Sequence, residues 1–393
     1  MSTHPIPEKT KQKIIKMRAE GVSQREISCK LGVSHGTVSN VLAEKGDAGK
    51  SVIPALRERA KMREVQEQEI QYREALRIIE NLQKELDIYK KQESFLTTFR
   101  PRTIVPSKYS GGRAAVAFSV CSDQHIEEKI TFAHTNGLNE SNPQIIEGRM
   151  ARFWGNTLKV LEMCRRNSPI DTLIVGLLGD IISGSIHADL TASNYLTPPQ
   201  AVMAGFELLT NGLLWLRQHT DIKTILVVSA VGNHARTTPK IDLKQPVETS
   251  YEWIIYSFMA KWLMKQHPKG LEFQLPTGYF NFLTVLGRTL RFHHGNALRY
   301  AGGIGGIQIP YKTARIYWDT GIPADVDVFA HYHLTDFGSR HVCCNTIMGY
   351  SELFPWVKSE YSPPQGAFFL IHERFGKTAQ FPIIVDEDRR VRK

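Results

Sequence analysis

Five short fragments of this chain carry side chains able to bind a divalent metal: Asp123-Gln124-His125, Gly179-Asp180, Gly232-Asn233-His234, His294-Gly295 and His331-Tyr332-His333. Singly they are weak signals. An Asp-x-His or Gly-Asp pair is usually a turn, and His-x-His is usually two strand residues on one face. Together they mix imidazole nitrogens with carboxylate and amide oxygens, which suits Mn²⁺, Fe or Zn²⁺, whereas Ca²⁺ would want oxygens throughout. A carboxylate bridging two ions about 3.5–4 Å apart is the usual frame for two-metal phosphoryl chemistry.

At least three fragments follow apolar runs that are predicted as buried strands: Val116-Ala117-Phe118-Ser119-Val120, Thr172-Leu173-Ile174-Val175-Gly176-Leu177-Leu178 and Thr224-Ile225-Leu226-Val227-Val228. Loops after parallel strands converge at one edge of a sheet, where open α/β folds place their sites. Helices are expected over Arg149 to Cys164, Ala201 to Arg217 and Glu248 to Lys265. A hairpin is expected from Phe280 to Leu286 and Thr289 to His293, joined at Gly287-Arg288. This order predicts an α/β fold, a layered β-sandwich flanked by helices. Gly302-Gly303-Ile304-Gly305-Gly306 lacks the Lys-Ser/Thr of a phosphate-binding P-loop and is expected as a flexible loop. His187 is expected as a plain loop histidine.

Ahead of this body lies a shorter, helical region. Ile14, Ile15 and Met17 mark a helix that ends near Gly21, and Ser23 with Glu26 forms a capping box for the next. That helix carries Ile27 and Leu31 and ends at Gly32, where the turn needs a positive φ. Ser34 caps a third helix whose Val38, Val41 and Leu42 recur at helical spacing. Its outward set is Ser34, His35, Thr37, Ser39 and Asn40, short polar side chains suited to base edges or phosphates. This layout resembles the helix-turn-helix units of resolvases, transposases and sigma-like regulators, with Ser28 small enough for the close helix contact.

A long helix or short coiled coil is expected next. Tyr72, Ala75, Ile79, Leu82, Leu86 and Tyr89 form a heptad seam through which residues 54–93 would make a homodimer. The expected divisions are 1–50 for the helix-turn-helix, 51–98 for the long helix and 99–113 for a Pro- and Gly-bearing linker. Residues 114–385 form the body, and 386–393 a basic tail.

The net charge of +10 is unevenly placed. Residues 1–113 hold 22 Lys+Arg against 14 Asp+Glu, a net +8, leaving +2 for the other 280. A basic appendage on a near-neutral body points to an anionic polymer, most often nucleic acid. Five scattered cysteines without CxxC spacing suggest reduced thiols rather than a disulfide framework or zinc finger. No apolar run reaches the length of a membrane span and the start lacks the apolar core of a signal peptide, so a cytoplasmic location is expected.

The five fragments, in this order, resemble the signature blocks of the calcineurin-like metallophosphoesterase family: D-x-H, G-D, G-N-H, H-G and G-H-x-H. The resemblance spans about Ala114 to His372. It implies two divalent metal ions, Mn²⁺ first, with Fe or Zn²⁺ as alternatives. Asp123, His125 and His333 would hold one ion; Asp180 would bridge; Asn233, His294 and His331 would complete the second. His234 would stabilise the charged transition state or protonate the leaving oxygen. His294 is preferred to His293 because it precedes Gly295 as in the family block. Two positions depart from the pattern: Ala235 stands where an acidic residue often orients the histidine, and Ala330 where the family has Gly.

Such a centre makes a bound water acidic enough to attack phosphorus near neutral pH. The basic arm shifts the expected substrate toward DNA, because a second contact on one polymer raises affinity. The resulting expectation is a metal-dependent DNA nuclease similar to the repair-exonuclease branch of the family, a branch that commonly works with an ATPase partner. Alternatives are a phosphatase or small-nucleotide phosphodiesterase that uses the arm for localisation, and a non-enzymatic DNA-binding regulator.

Overall fold

The computed structural model describes residues 6–44, 69–70, 73, 76–77, 102–104, 114–241, 243–244, 246–266, 269–299 and 306–387. The chain divides into two units, Met1–Thr98 and Phe99–Lys393.

In the first unit, α1 (Glu8–Ala19), α2 (Gln24–Leu31) and α3 (His35–Glu44) enclose a small core of Ile14, Ile27, Val38 and Val41. Ser23 and Glu26 make the expected reciprocal capping bonds, Glu26 N to Ser23 Oγ at 3.2 Å and Ser23 N to Glu26 Oε2 at 3.3 Å. Gly32 takes φ 63°, as the turn requires. The Ser28 hydroxyl donates to Val33 O at 2.6 Å and so closes that turn. Glu69, Ile70, Arg73, Leu76 and Arg77 are helical and exposed; the proposed seam residues Tyr72 to Tyr89 lie outside the described residues.

The second unit contains two sheets. One has six strands in the order β11-β10-β2-β3-β4-β5: β2 (Ala115–Cys121), β3 (Thr172–Leu177), β4 (Thr224–Ser229), β5 (Leu271–Gln274), β10 (Gln365–His372) and β11 (Gly376–Ile384). Strands β2 to β5 are mutually parallel, while β10 pairs antiparallel with β2 and β11. The other sheet runs β1-β6-β7-β8-β9, with β1 (Arg102–Ile104), β6 (Asn281–Val285), β7 (Arg288–Phe292), β8 (Val326–Phe329) and β9 (His341–Cys343).

Strand alternation sorts the side chains into layers. Val116, Phe118, Val120, Ile174, Leu226 and Val228 pack against Leu283, Leu290, Phe292, Val326 and Val328 between the sheets. Ala117, Cys121, Leu173, Val175, Ile225 and Val227 face the helices α4 (Pro143–Arg165), α6 (Pro198–Gln218) and α7 (Tyr251–Gln266). The short α5 (Ala188–Ser193) precedes α6. Being buried on both faces, β2, β3 and β4 read as continuous apolar runs. Beyond the second sheet, Phe329 and Cys343 pack against Ile307 and Tyr311 of α8 (Gln308–Trp318) and its approach. The last helix among the described residues is α9 (Leu353–Val357). The unit is thus a layered α/β sandwich flanked by helices.

Two local details differ from the sequence-based expectation. Arg102–Ile104, in the stretch expected as linker, pairs parallel with β6 as an edge strand. The hairpin turns at Leu286-Gly287, one residue earlier than expected. Both residues have positive φ, 51° and 75°, as a two-residue type I′ turn demands. Of Gly302 to Gly306, only Gly306 is among the described residues.

Candidate metal centre

All five fragments follow strands, two more than the apolar runs indicated. Asp123 and His125 lie after β2, Asp180 after β3, Asn233 and His234 after β4, His294 after β7, and His331 and His333 after β8. Backbone bonds extend the ladders into these loops: Asp123 N to Gly179 O at 3.0 Å, His125 N to Asp180 O at 3.1 Å and Ala330 N to His294 O at 2.8 Å. The loops are therefore held by the sheets rather than by their own sequence.

Three overlapping donor groups result: Asp123, His125 and His333; His125, Asp180 and His234; Asp180, His294 and His331. Within each group, one ligand atom per residue lies within 4.8 Å of the others. Asp180 belongs to two groups, with Oδ2 at 2.9 Å from His294 Nε2 and Oδ1 accepting from His234 N at 2.8 Å. Asp123 Oδ1 is 3.0 Å from His333 Nε2, and His294 Nε2 is 3.1 Å from His331 Nδ1.

The donor chemistry fits metal ions. Ser183 donates to Glu128 Oε2 at 2.8 Å, so its oxygen accepts from His125 Nδ1, also at 2.8 Å. That fixes the proton on Nδ1 and leaves His125 Nε2 as a buried lone pair with no hydrogen-bond partner among the described residues. His294 is fixed the same way, its Nδ1 2.7 Å from Leu178 O. Its Nε2 lone pair then faces the Asp180 carboxylate, an arrangement that calls for a proton or a cation between them. Asn233 Oδ1 is a further buried acceptor without a partner among the described residues.

Charges follow the same pattern. Burial alone would push Asp123 up, but His333 and His125 hold it well below the usual carboxylate range. Burial likewise opposes ionisation of Asp180, and His294 and His234 outweigh it and lower its pKa. Both carboxylates therefore stay ionised and offer oxygens as ligands. Burial disfavours a charged His294, yet Asp180 raises it to about 10, while burial and His294 lower His331 to about 3.

The backbone is strained at this place. Asp123, His125, Asp180, His331 and His333 have φ of 53°, 43°, 51°, 74° and 51°. Left-handed backbone costs a non-glycine residue about 1–2 kcal/mol, and only four other non-glycine residues among those described adopt it. Strain gathered on five candidate ligands points to function. Two glycines permit the crowding. A Cβ on Gly179 would lie 2.7 Å from Gly232 Cα, and one on Gly232 would lie 2.6 Å from Asp180 Cγ.

His234 stands beside His125, ring centroids 4.8 Å apart. Burial lowers its pKa to about 4 despite the nearby Asp180. Its Nδ1 is buried without a partner among the described residues, so no carboxylate there replaces the acid absent at position 235 in orienting the ring. Exposed His187 lies 5.5 Å from His234, centroid to centroid. His293 points elsewhere, stacking on Phe329 at 5.3 Å in an aromatic pocket with Trp318 and Phe280. The Ala330 methyl is absorbed in the core between the sheets.

Residues that the motifs did not mark hold the centre from behind. Glu127 Oε1 accepts from Gly184 N at 2.8 Å, and Thr346 Oγ1 donates to Asp123 O at 2.7 Å. Glu252, fully buried in the first turn of α7, accepts from Ile181 N and Gly232 N at 2.6 Å each. Burial and the Asp180 carboxylate push its pKa up to about 8. Only the acidic pair Glu127-Glu128, two residues after His125, offered a signal in the sequence.

In the first unit, His35, Ser39 and Asn40 are exposed on α3. Ser34 and Thr37 are engaged with each other: Thr37 N donates to Ser34 Oγ at 3.1 Å and the hydroxyls lie 2.7 Å apart. They cap the helix, and His35, Ser39 and Asn40 are exposed beside them.

Residues 1–88 match the 'Paired box' domain family. No curated protein matches the chain. Among solved structures, Vacuolar Protein Sorting 29 from Cryptosporidium parvum is similar, with 11% identity, a TM-score of 0.28 and coverage of 68% of this chain and 97% of that one. A hypothetical protein from Pyrococcus horikoshii OT3 is similar with 10% identity and a TM-score of 0.30, covering 69% of this chain and 89% of that one. No helix among the described residues is long and apolar enough to cross a membrane.

Proposed function

We propose that the protein is a dinuclear-metal-dependent phosphodiesterase acting on DNA. The observation that carries this reading is the chain of three donor groups sharing His125 and Asp180, at the ends of five strands. Asp123, His125 and His333 would hold one divalent ion and Asn233, His294 and His331 another, with Asp180 between. When bound, such ions supply an acidified water and neutralise phosphate charge. The chain's own part is positional. Ser183 and the Leu178 carbonyl hold the ring proton of His125 and His294 on Nδ1, which turns Nε2 toward the ion site, and the left-handed loops carry these side chains there. His234, with its imidazole beside His125, would meet the phosphoryl or leaving oxygen.

The DNA assignment rests on the first unit. A paired box is a helix-turn-helix DNA-binding domain, and α1 to α3 present His35, Ser39 and Asn40 on such a scaffold. The repair-exonuclease branch and Mn²⁺ as the working ion are part of the same proposal. Incubating the full chain with Mn²⁺ and end-labelled single- and double-stranded DNA tests it. Cleavage that EDTA abolishes is expected. Intact DNA alongside rapid hydrolysis of a small phosphodiester would point instead to a small-nucleotide enzyme. Inertness toward every phosphoester, with DNA binding kept, would favour a regulator.

A further inference from the structure

We propose that Glu252 is a positioning residue for the metal centre, its carboxylate setting the spacing between the Asp180 loop and the Asn233-His234 loop. The proposal rests on the metal-centre reading. Its two oxygens accept from Ile181 N and Gly232 N at 2.6 Å each. Ile181 directly follows Asp180 and Gly232 directly precedes Asn233, so one side chain grips the backbone next to ligands on two strands. The loops it joins are otherwise in close apposition: Asp180 Oδ1 also accepts from His234 N, and no side chain fits at Gly232.

The delivery of Glu252 to this place is built into the fold. Ala235 brings no carboxylate, but its carbonyl accepts from Tyr251 N at 2.8 Å. Arg236 and Ser250 form an antiparallel bridge, and Thr237 N donates to Thr249 O at 2.8 Å. This pairing folds the chain back beneath the Asn233 loop and starts α7 there, with Glu252 one residue into the helix. A buried carboxyl group needs partners, and here both are amides that flank the proposed ligands. A structural role alone would be met by any buried donors.

The test compares wild type with Glu252→Gln and Glu252→Asp in the full chain. Gln presents one acceptor and one clashing amide, and Asp is one methylene too short to reach both amides. Mn²⁺ affinity is measured by calorimetry below the melting midpoint, where all three are folded. A fall of about 10–100-fold in both variants is expected, as for other residues that support metal ligands. Variants that melt earlier but bind Mn²⁺ like wild type would overturn the proposal. A second readout needs no variant: amide hydrogen exchange of the wild-type chain should show Ile181 and Gly232 strongly protected, and fast exchange at either would also overturn it. A wild type that binds no Mn²⁺ would instead remove the metal-centre reading on which the proposal stands.

Discussion

Adding one methyl group at Gly232 tests whether the Asp180 loop is as tightly set as the structure requires. Gly232 does not have a positive φ, so alanine's backbone preference is not the obstacle. The obstacle is Asp180: the new Cβ would lie 2.6 Å from its Cγ and closer still to its backbone N and Oδ1, inside the 3.4 Å limit of ordinary contact. Overpacking of this kind costs about 1–3 kcal/mol, and each kcal/mol lowers the melting midpoint of a large domain by about 2–4 °C. Because the displaced residue is the proposed bridging ligand, Mn²⁺ affinity should fall about 10–100-fold as well. Gly155 in α4 is the matched control, since nothing lies within 4 Å of its added Cβ. There the same change should stabilise by about 0.5–1 kcal/mol by favouring helix. Urea denaturation with Mn²⁺ titration of both variants decides it. Wild-type stability and affinity in Gly232→Ala, or equal damage in Gly155→Ala, would refute the packing argument.

Other expectations follow from separate parts of the molecule. His234→Ala should lower kcat on bis(p-nitrophenyl) phosphate by about 10²–10⁴-fold, as loss of a proton-transferring group does, while Mn²⁺ binding persists; a change in affinity without a change in kcat would reverse that role. Asp386 accepts from buried Arg149 at 2.9 and 3.0 Å, and although burial raises its carboxyl, Arg149 holds it below the usual range. Its stabilisation is therefore complete above the ordinary carboxylate value and lost as pH falls through the lowered folded value. Asp386→Asn should cost about 2 kcal/mol at neutral pH and flatten the acid limb of the stability curve, as urea titrations from pH 2 to 7 would show. Deleting residues 1–50 should remove the steep salt dependence of DNA binding; fluorescence anisotropy against salt concentration measures it, and an unchanged slope would place the DNA contact elsewhere.

The site was legible in the sequence to the extent that chemistry sits next to strands. Val116 to Val120 and its counterparts announce themselves because both faces of β2, β3 and β4 are buried, and each is followed by a side chain able to bind a metal. The helix-turn-helix was legible because caps and a left-handed glycine are local signals, met at Ser23, Glu26 and Gly32. What supports the candidate ligands was not. Glu252 is 71 residues from the amide of Ile181, and a glutamate in a helix's first turn looks like an ordinary favourable charge. The left-handed backbone at Asp123, His125, Asp180, His331 and His333 has no sequence signature, because tertiary bonds impose it against local preference. The turn at Leu286-Gly287 was displaced for the same reason, leucine being a poor advertisement for positive φ. Strand β1 was hidden by Pro101 and Pro106, which read as punctuation.

The central claim is a two-ion centre shared by Asp180, and Mn²⁺ anomalous scattering from a crystal of the full chain tests it most directly. Two peaks are expected about 3.5–4 Å apart, one among Asp123, His125 and His333, the other among Asn233, His294 and His331, with Asp180 touching both. No peak among these seven residues, or a single ion that leaves Asp180 unliganded, would contradict the account.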